Sequence, residues 1–236
     1  MVIAAGLDTW RIDLVDVLEE INIRGYAILR SYSSVEAITS LAASVGYAKG
    51  ADSIGVTTLE GNGDANWLPA HIESLILGDP VLQCFALGCV ESAVGGGATC
   101  LYDSRQAAQS LADNFPEMLG VKIRYRSHAY PGQEATHPLV CTDPDYGLVL
   151  RYRSRLDTNS VVGILPTMSE DELYRTVDRA VGEALTLVHL WRPGDFLLVN
   201  NRFMIHARKP YDGRRVMVRC RYDDPNHKTI QLAASF

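Results

Sequence analysis

From His71 to Arg155 the chain is a succession of short β-type runs split by turn residues, and no other feature constrains its fold as much. The runs are Val81 to Val90, Ala98 to Tyr102, Val121 to His128, Leu139 to Cys141 and Leu148 to Tyr152, with a helix over about Arg105 to Asn114 between them. Strands of this length and spacing predict a sandwich or barrel. Further on, Ser169-x-x-Glu172 is a capping box that opens a helix near 169–190. Leu173, Val177, Val181, Leu185 and Val188 are its apolar stripe. Pro193-Gly194-Asp195 then turns the chain into a buried strand, Phe196 to Val199, and Asn200-Asn201 turns it again toward His206. Tyr211-Asp212-Gly213 reads as a tight turn, and Arg215 to Tyr222 as the last long strand.

The N-terminal part, 1–48, reads as helix, strand, helix. Ile12, Val15, Leu18 and Ile21 stand at helical spacing, Gly25 to Arg30 is a short apolar strand, and Ser34 is placed to cap a second helix running to about Val45. Residues 49–70 are rich in Gly, Asp, Asn and Thr and are expected to form a lid loop. The class is therefore α+β, with 1–236 as one domain and 71–236 as its core; 236 residues with 47% hydrophobic content suit that size.

Charge excludes one class of partner. A net charge of −6 gives no broad basic surface for nucleic acid, although a local patch of basic residues remains open. The five cysteines are odd in number and none forms a C-x-x-C pair, which predicts buried free thiols in a reducing compartment. No signal-peptide pattern and no run of membrane-spanning length is seen, so the expected location is the cytoplasm, with no membrane partner.

Chemistry concentrates in an ordered set: His71-Ile72-Glu73, then His206, then Arg214-Arg215-Val216-Met217-Val218-Arg219. In an extended strand, residues two apart face the same way, so His71 and Glu73 are placed to grip one ion. Two imidazoles and a carboxylate suit ferrous iron and leave open positions for a chelating co-substrate and dioxygen. Taken singly, the H-x-E match is weak and His206 reads equally as a satisfied core residue. If the last strand alternates, Arg215, Met217, Arg219 and Arg221 share a face; either they point inward and meet an anion, or the strand is an edge with solvated arginines. His137-Pro138 reads as structural, and His189 as the end of the long helix.

These residues resemble the taurine dioxygenase and clavaminate synthase-like group of Fe(II)/2-oxoglutarate-dependent oxygenases. The match is an ordered series: Gly25 to Arg30; His71-Ile72-Glu73 in the Glu form of the ligand pair; Gly95-Gly96-Gly97-Ala98-Thr99; His137-Pro138-Leu139-Val140 through Gly147 and Leu150; Gly194 to Arg202 with His206; and Arg214 to Arg219. It spans about residue 25 to residue 222. The resemblance implies a double-stranded β-helix, or jelly roll, with flanking helices. It implies His71, Glu73 and His206 as iron ligands, and Thr99 and Arg215 as holders of the distal carboxylate of 2-oxoglutarate. Arg219 would meet an anion on the prime substrate, though the short gap after His206 leaves the roles of Arg215 and Arg219 exchangeable.

The implied activity is a dioxygenase that uses Fe(2+), 2-oxoglutarate and O2 to hydroxylate, desaturate or cyclise a small polar molecule, such as an amino acid or a natural-product intermediate. Glu73 fills the position that a small residue leaves to chloride in related halogenases, so an oxygenase is expected. Asn66, Trp67, Arg151, Arg153, Arg155 and Asn201 are candidates to position the substrate, and Trp67 reads equally as ordinary packing. Three rivals are an isomerase or lyase of the same fold that needs metal but no keto-acid, a metal-free binding module, and a nucleic-acid demethylase, which the acidic charge disfavours.

Overall fold

The structure is a computed structural model that describes residues 14–75, 82–126, 132, 134–154, 161–162, 168–223 and 229–231. Its first half contains α1 (Leu14–Arg24), β1 (Tyr26–Tyr32), α2 (Val35–Ala48), β2 (Ser53–Asp64), β3 (Leu68–His71), β4 (Cys84–Glu91), β5 (Gly95–Gly96), β6 (Thr99–Asp103) and α3 (Ser104–Asn114). The second half contains β7 (Lys122–Arg126), β8 (Glu134–Pro138), β9 (Val140–Asp143), β10 (Gly147–Leu150), β11 (Val161–Val162), α4 (Glu170–Glu183), β12 (Leu185–His189), β13 (Gly194–Asn200), β14 (Met204–Arg208), β15 (Tyr211–Tyr222) and β16 (Thr229–Gln231).

Two antiparallel sheets carry the site. The larger runs β1-β13-β4-β15-β2-β16, with β5 beside β15; the smaller runs β12-β6-β14-β3. Two further small sheets are β9-β10 and β11-β7-β8. Strand alternation sorts the buried side chains into layers. On β13, Phe196 and Leu198 pack outward with α1 and α2, beside Ile21, Ile38 and Val45, while Leu197 and Val199 face inward. The inward cluster joins both sheets, with Phe85, Leu197 and Met217 against Leu101, Phe203 and Met204. Behind the smaller sheet, Cys100, Tyr102, Ile205 and Ala207 pack on α3 and α4 through Ala108, Leu111, Leu173 and Val177. The order is helices, sheet, sheet, helices.

Local chemistry sets the helix starts. The Ser34 hydroxyl accepts the Ala37 N–H at 3.1 Å, and the Ser169 hydroxyl accepts the Glu172 N–H at 3.3 Å, each satisfying a donor the first turn leaves open. Helix α2 lies close on the sheet because Gly88 has no side chain: a Cβ there would sit 2.5 Å from Ile38.

Three expectations about elements are corrected. Residues 49–70 are not a loop. Ser53–Asp64 is a strand paired with β15 from Tyr211↔Asp64 to Tyr222↔Ile54, and Ile54, Val56 and the paired threonines Thr57 and Thr58 supply its β-forming residues. The helix near 169–190 ends at Glu183, after Gly182; Leu185–His189 turns instead into a strand on β6. Leu185 and Val188 are 48% and 42% exposed, so they do not extend the apolar stripe. Tyr211-Asp212-Gly213 begins β15, with a register irregularity before Arg214, and forms no separate turn. The runs expected over Val81 and 127–128 fall partly outside the described residues. Strand β15 lies between β4 and β2, so its arginines are not on a solvated edge.

Candidate metal centre

Three side chains distant in sequence meet between the sheets. His71 ends β3, and it is the ladder partner of His206 on β14; the two rings are 4.1 Å apart, centroid to centroid. Glu73 lies just beyond β3, not in the extended strand expected for it. Its turn, with Ser74 at φ 61°, is held by Asn201: the Asn201 Oδ1 accepts the Glu73 N–H at 2.9 Å, and its Nδ2 donates to the Glu73 carbonyl at 3.0 Å. The outcome is the same convergence. Glu73 Oε2 is 3.6 Å from Nε2 of both histidines, and one donor atom from each residue lies within 4.8 Å of the others.

Protonation prepares the donors. The His71 Nδ1 donates to the Pro69 carbonyl at 2.8 Å, which orients the ring with Nε2 toward the centre. Burial, and then the adjacent His71, pull the His206 imidazole down to about 4, so its ring is neutral and ready to bind metal. Burial opposes charge on Glu73. The neighbouring His206 and His71 and the Arg219 and Arg221 guanidiniums outweigh it and hold the carboxyl well below its usual range. Both arginines reach Oε1, Arg219 at 3.2 Å, so the two carboxylate oxygens have separate partners.

A cavity of about 190 Å³ opens on this triad, with Phe85, Leu87 and Met217 as an apolar wall. Thr99 and Arg215 line it together with the three donors and Arg219. The Thr99 hydroxyl accepts the indole N–H of Trp191 at 3.0 Å, which leaves its own proton to donate elsewhere. Arg215 is 8% exposed and pairs with no carboxylate among the described residues. Arg219, expected to meet a substrate anion, already contacts Glu73.

The other substrate candidates among the described residues do not line this cavity. Asn201 is fully buried, and its amide is committed to Glu73 and to the Leu82 carbonyl. Arg151 donates to the Arg202 carbonyl at 3.0 Å and lies 3.8 Å from Asp143. Arg153 bridges to His71 through its backbone. Trp67 is 46% exposed, and Asn66 is exposed, its backbone N–H bound by Asp64. Arg155 lies outside the described residues. His137 is structural, its Nε2 2.7 Å from the Leu75 carbonyl. His189 closes β12, 3.2 Å from Asp195. Sequence reasoning missed Trp191, Tyr211 and Arg208. Arg208 had a signal, since it stands two residues past His206 on the same strand face.

The profile of the Taurine catabolism dioxygenase TauD, TfdA family matches residues 9–221. The chain belongs to the TauD/TfdA family. A pentalenolactone F synthase of Streptomyces arenae is 33% identical over 98 residues, covering 40% of this chain and 33% of that protein. One from Streptomyces avermitilis is 25% identical over 198 residues, covering 70% and 64%. The chain thus spans less than two thirds of the length of these curated relatives. In fold it is similar to PvcB of Pseudomonas aeruginosa, described as an Fe, alpha-ketoglutarate dependent oxygenase from an isonitrile synthetic pathway, with a TM-score of 0.73 at 18% identity over 94% of this chain and 83% of that one. A taurine dioxygenase from Burkholderia xenovorans gives 0.69 at 18% identity, over 95% and 87%. TauD/TfdA enzymes use Fe(II) and 2-oxoglutarate. The residues here fit both: two imidazoles and a carboxylate suit the metal, and a buried guanidinium that pairs with no carboxylate among the described residues suits a dicarboxylate.

Proposed function

We propose that this chain is an Fe(II)- and 2-oxoglutarate-dependent dioxygenase built on a double-stranded β-helix, and that it hydroxylates a small polar molecule. The observation that carries the reading is the convergence of His71, Glu73 and His206 beside a cavity that also contains Thr99 and Arg215. In this reading the triad binds iron. Thr99 and Arg215 receive the distal carboxylate of 2-oxoglutarate, so its keto-acid end is directed at the metal. Bound iron and 2-oxoglutarate supply dioxygen activation coupled to oxidative decarboxylation, with succinate and carbon dioxide as co-products. The chain's own part is to present the two imidazoles, keep Glu73 ionised, and surround the reacting atoms with Phe85, Leu87 and Met217, which exclude water.

With iron bound, Glu73 would take the coordination position that chloride would need, which favours hydroxylation over halogenation. The similarity to pentalenolactone F synthases supports a natural-product intermediate as substrate, and the same site serves desaturation or ring closure if the substrate holds a second hydrogen in reach. The test is succinate release from 2-oxoglutarate with Fe(II) and ascorbate, in the presence of a panel of small polar acids and amino acids. Succinate whose yield rises with one of them, and stops without iron, is the expected result. Substrate conversion that needs metal but consumes no 2-oxoglutarate would replace this reading with a lyase or isomerase.

A further inference from the structure

The cavity contains one more guanidinium than the reading above uses. Arg208 closes β14 directly opposite Thr99 on β6, and it is two residues from His206, so it shares their inner face. Its Nη2 is paired with Asp64, but its Nη1 is buried without a hydrogen-bond partner. Arg215 comes from the facing sheet. Both guanidiniums stack on the Tyr211 ring, at 4.8 Å for Arg208 and 5.4 Å for Arg215. Among the described residues the single carboxylate paired with them is Asp64, on Arg208, so two confined cations face the space beside Thr99 with one counter-charge between them. A buried donor and an unbalanced charge at the same place are both satisfied by one bound carboxylate.

We propose that Arg208 is a further binding residue for the co-substrate: its Nη1 donates to the distal carboxylate of 2-oxoglutarate alongside Thr99 and Arg215, while Asp64 fixes the guanidinium plane. This rests on the function proposed above. Strand geometry supports the placement. Residues two apart on a strand lie roughly 6.8 Å from each other, so a guanidinium at 208 reaches the far end of a small keto-acid chelated at 206 and not its chelating end. The three donors would make the pocket selective for a dicarboxylic keto-acid over a monocarboxylic one.

The experiment compares 2-oxoglutarate with 2-oxopentanoate, which keeps the chelating end and has a methyl group in place of the distal carboxylate. Each is titrated calorimetrically into protein loaded with Mn(II), a redox-quiet substitute for iron. In Arg208→Gln the Kd for 2-oxoglutarate should rise roughly ten- to a hundred-fold, and that for 2-oxopentanoate should stay within about two-fold of wild type. Arg208→Lys, which keeps the charge and loses the planar fork, should fall between. Arg208→Met, which keeps the length of the side chain and removes its donors and charge, should weaken 2-oxoglutarate at least as much and serves if Arg208→Gln does not fold. Unchanged 2-oxoglutarate affinity, or equal losses for both keto-acids, would overturn the role of Arg208. Failure of the wild-type protein to bind 2-oxoglutarate at all would instead sink the co-substrate reading, and this inference with it.

Discussion

Glu73 is the residue on which the centre turns, because its two oxygens have different neighbours. Oε2 faces the imidazoles and Oε1 faces Arg219 and Arg221. Glu73→Ala should lower turnover by about 100-fold or more, since changes even one shell outside a metal cost about 10- to 100-fold; undiminished turnover would remove Glu73 from the ligand set. Asn201 acts one step back. Asn201→Ala leaves the buried Glu73 N–H and two carbonyls without partners, which should cost about 2–4 kcal/mol of stability in denaturant melts and weaken Mn(II) binding about 10-fold or more. His71, Glu73, Thr99, His206 and Arg215, which ordered motifs single out in the sequence, line one cavity in the structure. Asn201, Arg151 and Arg153 do not line it and have partners within the protein, and polarity near a motif does not say which groups the protein itself has already satisfied. Asn201 reads as a substrate donor until its partners are seen to be backbone.

Elements were legible where periodicity or a cap is strong. Helices α2 and α4 begin where Ser34 and Ser169 predict, and β13 is the apolar run after Gly194-Asp195. They were illegible where tertiary pairing overrides composition. Strand β2 carries Gly55, Gly61 and Gly63 with Asn62 and Asp64, residues that signal loops, yet it is held along its length by β15. A direct check is Gly55→Pro. Gly55 pairs with Arg221 on one side and Thr229 on the other, so proline there removes a ladder bond whichever strand receives it. The loss should be about 3 kcal/mol or more by chemical denaturation, where a true lid loop would tolerate the change. The end of α4 follows the same logic: its stripe runs out at Glu183, and Thr186 and Val188, both β-branched, join the smaller sheet.

On the scale of the whole molecule, four layers bury the site and most of the thiols. Cys84 and Cys220 are pushed up to about 12 and Cys89 to about 11, in each case chiefly by burial. Because these folded thiols ionise later than unfolded ones near 9, their contribution to stability is full below about pH 9 and is lost as pH rises toward 12. Melting midpoints should therefore be lower at about pH 10 than at about pH 7, and native protein at neutral pH should react with a thiol reagent first at Cys141, which is partly exposed. Among the described residues no helix is long and apolar enough to cross a membrane. Family membership and the meeting of the sheets at one cavity give the molecule its chemical class, and the measurement closest to that claim is anaerobic absorption spectroscopy. Addition of 2-oxoglutarate to protein holding one equivalent of Fe(II) should produce a weak visible charge-transfer band, and His206→Ala should abolish it. A wild-type protein that binds iron but gives no band with 2-oxoglutarate, or a band that survives in His206→Ala, would contradict the account.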